Sequence, residues 1–124
     1  MRRALLLGQL VVLAILATIH IAALGNDLYW ILPWLDLVTH FLGGVWSALF
    51  IFWLGVVFHR PPNVFLVASF VLVLGVAWEI FEYSVGISAA ADYALDTLSD
   101  LCMDLLGAVV VSLAARLLFT HVRP

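Results

Sequence analysis

Long apolar segments alternate with short polar breaks along the whole chain. Four of these segments have the ~20 residues that a helix needs to cross the hydrocarbon core of a bilayer. They cover approximately residues 4–24, 34–58, 64–87 and 95–119. The break at 59–63 reads HRPPN, and two consecutive prolines exclude a continuous helix there. The pattern predicts an all-α fold, an integral membrane four-helix bundle that forms one domain over residues 1–124.

The composition agrees with a membrane protein and excludes several other classes. Hydrophobic residues make up 66% of the chain and charged residues 10%, whereas a soluble domain has about 25% charged residues. Lysine is absent, so no basic surface is available to follow nucleic-acid phosphates. The single cysteine, Cys102, excludes an internal disulfide. We expect membrane lipids as partners. The sequence leaves open whether the chain also forms a homo-oligomer.

The arginines predict how the chain crosses the membrane. Arg2 and Arg3 precede the first span, Arg60 lies between the second and third, and Arg116 and Arg123 end the fourth. In a chain with four spans, these positions share one side. The positive-inside rule therefore predicts that both termini are cytoplasmic. We interpret the first segment as a retained span, because its apolar run exceeds the roughly 7–15 residues of a signal-peptide core.

Acidic side chains gather toward the opposite ends of the second, third and fourth spans. Within each span they are three or four residues apart, a spacing that places them on one helix face. The three aspartates of the fourth span cover an arc of only about 80°. The resulting set comprises Asp36 and His40 in the second span, Glu79 and Glu82 in the third, and Asp96, Asp100 and Asp104 in the fourth. His20 lies near the same end of the first span.

Six carboxylates in one layer of a membrane require compensation. Each unpaired acid at the membrane centre costs about 2.5–3.5 kcal/mol, and every arginine lies at the other end. Bound metal ions, bound protons or water in a cavity are the remedies. Carboxylate oxygens with an imidazole suit Mg²⁺, Mn²⁺, Fe²⁺ or Zn²⁺. We therefore predict a divalent-metal site formed by all seven of these side chains, in which His40, Glu82 and Asp104 are also candidate catalytic bases.

Structural roles compete with this interpretation at several positions. Asp96 and Asp36 lie near predicted helix starts, where aspartate often caps the helix. A lone histidine such as His20 is more often hydrogen-bonded than a ligand. Asp27 and Asp92 fall in predicted loops and are expected to face water.

Small residues accompany the polar stripe in all three spans. Gly43 and Gly44 follow His40, Gly75 precedes Glu79 by one turn, and Gly107 follows Asp104. Small residues allow close helix approach in membranes, or they leave room for a substrate. The sequence leaves both interpretations open.

The motifs resemble those of known bacterial membrane proteins. The patterns DLVTHF at 36–41, WEIFE at 78–82 and DTLSDLCMDLLGA at 96–108 are similar to the YjdF-like family of small bacterial inner-membrane proteins, and more distantly to VanZ-like proteins. The resemblance covers about residues 33–108. VanZ-like proteins usually have Lys and Asn where Leu37 and Asp104 stand here, so this site is more acidic. The resemblance implies a bacterial inner-membrane setting and brings no established reaction.

Three functions remain in competition. The first is a metal-dependent enzyme that acts on a lipid or lipid-linked substrate from the outer half of the bilayer. The alternative is an ion- or proton-coupled carrier or channel that uses the same acids. The third is a scaffold or binding subunit stabilised by a structural ion. The sequence alone leaves open whether the protein is an enzyme.

Overall fold

The computed structural model describes residues 1–86 and 92–120, with side chains described as far as Arg116. Its elements are α1 (Arg2–Gly25), α2 (Leu28–Ile31), α3 (Trp34–Val57), α4 (Val64–Val85) and α5 (Tyr93–Thr120). The four long helices are long and apolar enough to cross a membrane, and no strand occurs in the described ranges. The predicted all-α membrane bundle is confirmed. The predicted end of the third span at Ile87, together with His121 and Arg123, lies outside the described residues.

Local side-chain chemistry sets the starts and ends of the helices. The Asn63 Oδ1 atom accepts a hydrogen bond of 2.8 Å from the Leu66 amide and so caps α4. α4 ends at Gly86, whose φ of 72° is in the left-handed region that glycine adopts without strain. Asp92 caps the start of α5, because its Oδ1 atom accepts a hydrogen bond of 3.2 Å from the Leu95 amide.

The structure does not support the capping alternative for two of the candidate ligands. Asp92 takes the capping position on α5, one turn before Asp96. At the start of α3 the cap is Pro33, and no side chain forms a cap hydrogen bond there. Asp36 and Asp96 therefore do not cap their helices, although each lies in a first helical turn, where the helix dipole favours a carboxylate.

α3 is the central helix of the bundle. It packs against each of the other long helices, α1, α4 and α5. A small apolar core lies toward the end of the bundle that carries the arginines and is formed by Ala48, Ile51, Val67, Val71, Ala108 and Val111. We call that end, with Arg2, Arg3, Arg60 and Arg116, the arginine end. We call the opposite end, where α1 and α4 finish and α3 and α5 begin, the acidic end.

Backbone contact between α3 and α5 sets the geometry of the acidic end. A Cβ atom added at Gly44 would overlap the main chain of Asp104, and one added at Gly107 would overlap the Phe41 carbonyl oxygen. Only glycine permits this approach, which confirms that small residues serve close helix packing here. Because His40 lies one turn before Gly44, the contact places its ring beside the aspartates of α5.

Candidate metal centre

Three helices bring the acidic side chains together at the acidic end. Six of the seven predicted ligands fall into three groups, and in each group three ligand atoms lie within 4.8 Å of one another. The groups are His40, Glu79 and Asp100; Asp36, Asp96 and Asp100; and Asp36, His40 and Glu82. We call these six residues the acidic cage. Asp104 belongs to none of the groups found among the described residues.

The first group lies deepest in the bundle. His40, Glu79 and Asp100 are 4%, 3% and 1% exposed, respectively. The His40 Nε2 atom is 3.5 Å from the Glu79 Oε1 atom. Two ligands of a tetrahedral ion, each about 2.1 Å from it, are about 3.4 Å apart. The separation of the nitrogen and the oxygen therefore suits a shared cation.

Unpaired polar atoms are concentrated in this deep group. In the part of the chain that the structure describes, five buried side-chain nitrogen or oxygen atoms have no hydrogen-bond partner. Four of the five are His40 Nε2, Glu79 Oε1 and the two carboxylate oxygens of Asp100. Leaving one buried polar group unpaired costs about 1–3 kcal/mol, and more for a charged group. Such a cluster is unfavourable unless a cation or protons compensate it.

The second group forms the mouth of the cage. The Asp36 side chain is 25% exposed, and Asp96 is also partly exposed. Asp100 belongs to this group as well as to the deep group. The cage is therefore open on one side and closed on the other, with one carboxylate shared between the two positions.

Hydrogen-bond donors outside the cage hold the glutamates in place. The Thr97 hydroxyl donates to Glu79 Oε2 at 2.7 Å, and the Trp78 indole nitrogen donates to Glu82 Oε1 at 2.8 Å. The Tyr93 hydroxyl donates to the Glu79 carbonyl oxygen at 3.0 Å. The first two bonds each fix one carboxylate oxygen of a glutamate and leave its other oxygen for the cage. The third bond fixes the backbone of Glu79.

These supporting residues were not predicted from the sequence. Thr97 directly follows Asp96, at the edge of the polar stripe of α5. Its position therefore indicated a polar side chain close to the predicted ligands. The spacing of Trp78 gives no sign that its indole donates a hydrogen bond to the cage acid Glu82.

Asp104 lies on the far side of the His40 ring. Its Oδ2 atom is 3.4 Å from His40 Nδ1, whereas the cage acids Asp36 and Glu79 approach Nε2. Its carboxylate is packed so closely against Gly75 that a Cβ atom there would be 2.5 Å from Oδ2. This geometry suits an orienting partner of a ligand histidine. Direct metal ligation by Asp104 stays a prediction.

His20 is placed outside the cage. Its Nδ1 atom is 2.6 Å from the Tyr29 hydroxyl, and its ring contacts that of Trp78 at a centroid distance of 5.4 Å. It occurs in none of the three groups. The hydrogen-bonded interpretation therefore accounts for His20.

The charges at the acidic end are strongly unbalanced. In the described ranges, His40 is the only cationic or potentially cationic side chain within 4.0 Å of a cage acid. The four described arginines lie at the arginine end, across the length of the bundle. The cage thus holds five carboxylates and one imidazole.

These features define a multi-pass membrane protein with a buried cluster of carboxylates around a histidine. The chain belongs to the family described as "Predicted membrane protein (DUF2238)", whose profile matches residues 1–121. No curated protein and no solved structure matches the chain.

Proposed function

We propose that the acidic cage binds divalent metal ions and that the protein is a metal-dependent enzyme acting on a lipid or lipid-linked substrate. One observation carries the proposal: His40, Glu79 and Asp100, whose ligand atoms lie within 4.8 Å of one another, together have four buried side-chain atoms without a hydrogen-bond partner. Apart from His40, no potentially cationic side chain lies within 4.0 Å of the cage acids in the described part of the chain. A divalent cation supplies both the missing charge and the missing bonds.

The donor set favours some metals over others. One imidazole nitrogen among several carboxylate oxygens suits Mn²⁺, Fe²⁺ and Zn²⁺. Mg²⁺ prefers oxygen ligands and retains several waters, which fits the mouth group of Asp36 and Asp96 better than the deep group. We therefore propose Mn²⁺, Fe²⁺ or Zn²⁺ for the deep position.

Asp100 supports a site with two ions. It is the residue common to the deep group and the mouth group, and neither of its oxygens has a hydrogen-bond partner. Ions in two-metal sites are about 3.5–4 Å apart, a separation that one carboxylate spans with its two oxygens. We propose that Asp100 bridges a deep ion and a mouth ion.

The surrounding residues would divide the chemical roles. A bound divalent ion supplies a Lewis acid and an activated water. Glu82 is our preferred general base, because it belongs to only one group and Trp78 holds one of its oxygens. His40 belongs to two of the three groups and so serves better as a ligand, and Asp104 faces its other ring nitrogen. We assign Asp104 the role of orienting His40 through Nδ1, so that Nε2 faces the cage.

The membrane setting is part of the proposal. The arginine end would lie in the cytoplasm of a bacterium and the cage in the outer half of the inner membrane. We propose that the chain is related to the YjdF-like proteins and, more distantly, to the VanZ-like proteins. The motifs at 36–41, 78–82 and 96–108 support this relationship. A cage at this depth would meet the headgroup region of lipids in that leaflet.

An ion- or proton-coupled carrier is the main alternative. A carrier needs a path across the membrane, but the described half of the bundle toward the arginine end contains an apolar core and no acidic residue. A scaffold held by a structural Ca²⁺ is the other alternative. Its hard oxygen preference is less suited to the buried His40 nitrogen.

Elemental analysis of the detergent-purified protein tests the proposal. We expect about one or two equivalents of Mn, Fe or Zn, lost in the Glu79→Gln/Asp100→Asn double variant. Asp27→Asn/Asp92→Asn is the matched control, because both positions are exposed and outside the cage. Equal metal content in all three proteins, or none in any, would contradict the proposal. Calcium alone would favour the scaffold, and ion flux in liposomes without lipid turnover would favour the carrier.

A further inference from the structure

A groove separates α1 from α4 on one side of the bundle. α1 packs on α3, and the main chains of α1 and α4 do not approach each other in the described ranges. The space between them, with α3 as its floor, is a cavity of about 380 Å³. The groove lies within the membrane-spanning part of the bundle, so that its neighbour is lipid rather than water.

The walls of the groove are apolar. α1 contributes Leu13, Leu16 and Ala17, and α4 contributes Val71 and Leu74. None of the described residues that line these two walls is acidic or an arginine. An occupant of this space must therefore be a hydrocarbon along most of its length.

The polar part of the groove is the part that adjoins the cage. His40 and Asp104 line it, together with Thr39 on α3, whereas Ser47 lines the groove two turns farther along α3. His40 belongs to the groove and to the acidic cage at once. The occupant should accordingly be amphiphilic, with its polar end toward His40 and its apolar end toward the middle of the bundle.

The groove covers about two thirds of the depth of one leaflet of a bilayer. From Leu13 to His20 the α1 wall rises by about 10 Å at 1.5 Å per residue. One leaflet contributes about 15 Å of the ~30 Å hydrocarbon core. The rings of His20 and Trp78 meet at a centroid distance of 5.4 Å and join the two walls at the acidic end. The groove thus begins near the acidic end and stops near the middle of the bundle, as a lipid chain of one leaflet does.

We infer that this groove holds a single acyl chain of a membrane phospholipid and directs the lipid headgroup toward the cage. The inference names phospholipids as the substrate class of the proposed metal-dependent enzyme, and the purpose that it gives the groove rests on that proposed function. Binding of the chain itself needs only the apolar walls, and so it does not depend on a metal ion.

Photo-cross-linking tests the inference directly. The purified protein is incubated with a phospholipid that carries a diazirine in one acyl chain, in the presence of a chelator, and the cross-linked peptides are mapped by mass spectrometry. We expect cross-links on the α1 segment 13–20 and the α4 segment 71–78. An excess of unlabelled phospholipid should compete with this labelling.

Groove-filling variants provide the control. Ala17→Phe and, separately, Leu74→Trp should lower the cross-linking yield about tenfold, the change that corresponds to a tenfold weaker binding constant. Ala14→Phe is the matched control, because Ala14 is exposed on the same helix and does not line the groove.

Three results would overturn the inference. They are cross-links spread over the other faces of the bundle, yields unchanged in both filled variants, and labelling by a polyprenyl phosphate but not by a phospholipid. Because a chelator is present throughout, a failure of the metal site leaves this result unchanged. Conversely, if the groove is not labelled in a protein that still binds metal, the acyl-chain inference is refuted and the metal site is not.

Discussion

Replacing Asp100 with asparagine should have opposite effects on the protein with and without divalent metal. Asp100 is 1% exposed, and neither of its carboxylate oxygens has a hydrogen-bond partner. Asparagine keeps the shape, removes one negative charge and adds two N–H donors that neighbouring carboxylates can accept. Without metal, Asp100→Asn should therefore be more stable than the wild type. With metal, the wild type should be the more stable protein.

The magnitude follows from the spacing of the cage. Ligand atoms in each group lie within 4.8 Å of one another, and two unit charges at that distance repel by about 3.5 kcal/mol at an effective dielectric constant of ~20. Protonation and water relieve part of this repulsion in the metal-free protein. We expect asparagine to raise the free energy of unfolding by about 1–3 kcal/mol when no metal is bound. Metal at a hundredfold excess over its Kd should stabilise the wild type by about 2.7 kcal/mol and the variant hardly at all.

Thermal unfolding in detergent measures both effects in one experiment. The wild type and Asp100→Asn are unfolded with a chelator, and then with increasing Mn²⁺ or Zn²⁺. Asp27→Asn is the control, because Asp27 is exposed and has a φ of 54°, which asparagine tolerates. If metal raises the Tm of the wild type and of Asp100→Asn equally, Asp100 is not a ligand. If the metal-free variant is also less stable than the wild type, the charge repulsion that we describe is absent.

The remaining predictions concern the support of the cage and its protonation. Thr97→Val removes the hydrogen bond to Glu79 and should weaken metal binding about 10–100-fold, measured by calorimetry; Thr97→Ser should restore it, and full affinity in the valine variant would contradict the assigned role. Gly44→Ala should destabilise the bundle by about 1–3 kcal/mol, because its methyl group overlaps the Asp104 main chain; Gly25→Ala, with open space around its Cβ position, should not, and equal Tm values would contradict the close helix contact. Metal occupancy should fall between about pH 7 and pH 5, because protons compete for imidazole and carboxylate ligands; occupancy independent of pH over that range would exclude these ligands.

The periodicity of the sequence was sufficient for the main architecture. Apolar runs of the required length predicted the four long helices, whose observed bounds differ from the predicted ones by a few residues at most. The spacing of Asp36 and His40, and of Glu79 and Glu82, placed each pair on one helix face. Alternating chain direction then placed all cage residues at one end, which the structure reproduces.

Finer details depend on side-chain rotamers and helix rotation, which the sequence does not fix. Periodicity placed Asp104 on the same stripe as Asp100, but the helix contact at Gly44 turns it toward the opposite nitrogen of His40. The Thr97 bond to Glu79 joins side chains 18 residues apart on two helices. Such a contact follows from tertiary packing and not from a local pattern. The one-turn helix α2, which carries Tyr29 beside His20, is also too short to produce a periodic signal.

The location of bound metal is the most direct test of the central claim. Crystals or oriented samples of the protein prepared with Mn²⁺ or Zn²⁺ allow the ion to be placed by its anomalous scattering. We predict a strong peak enclosed by His40, Glu79 and Asp100, within about 2.0–2.3 Å of the His40 Nε2 atom, and a second, weaker peak beside Asp36 and Asp96. A metal-loaded protein whose anomalous peaks lie only outside the cage would contradict the claim.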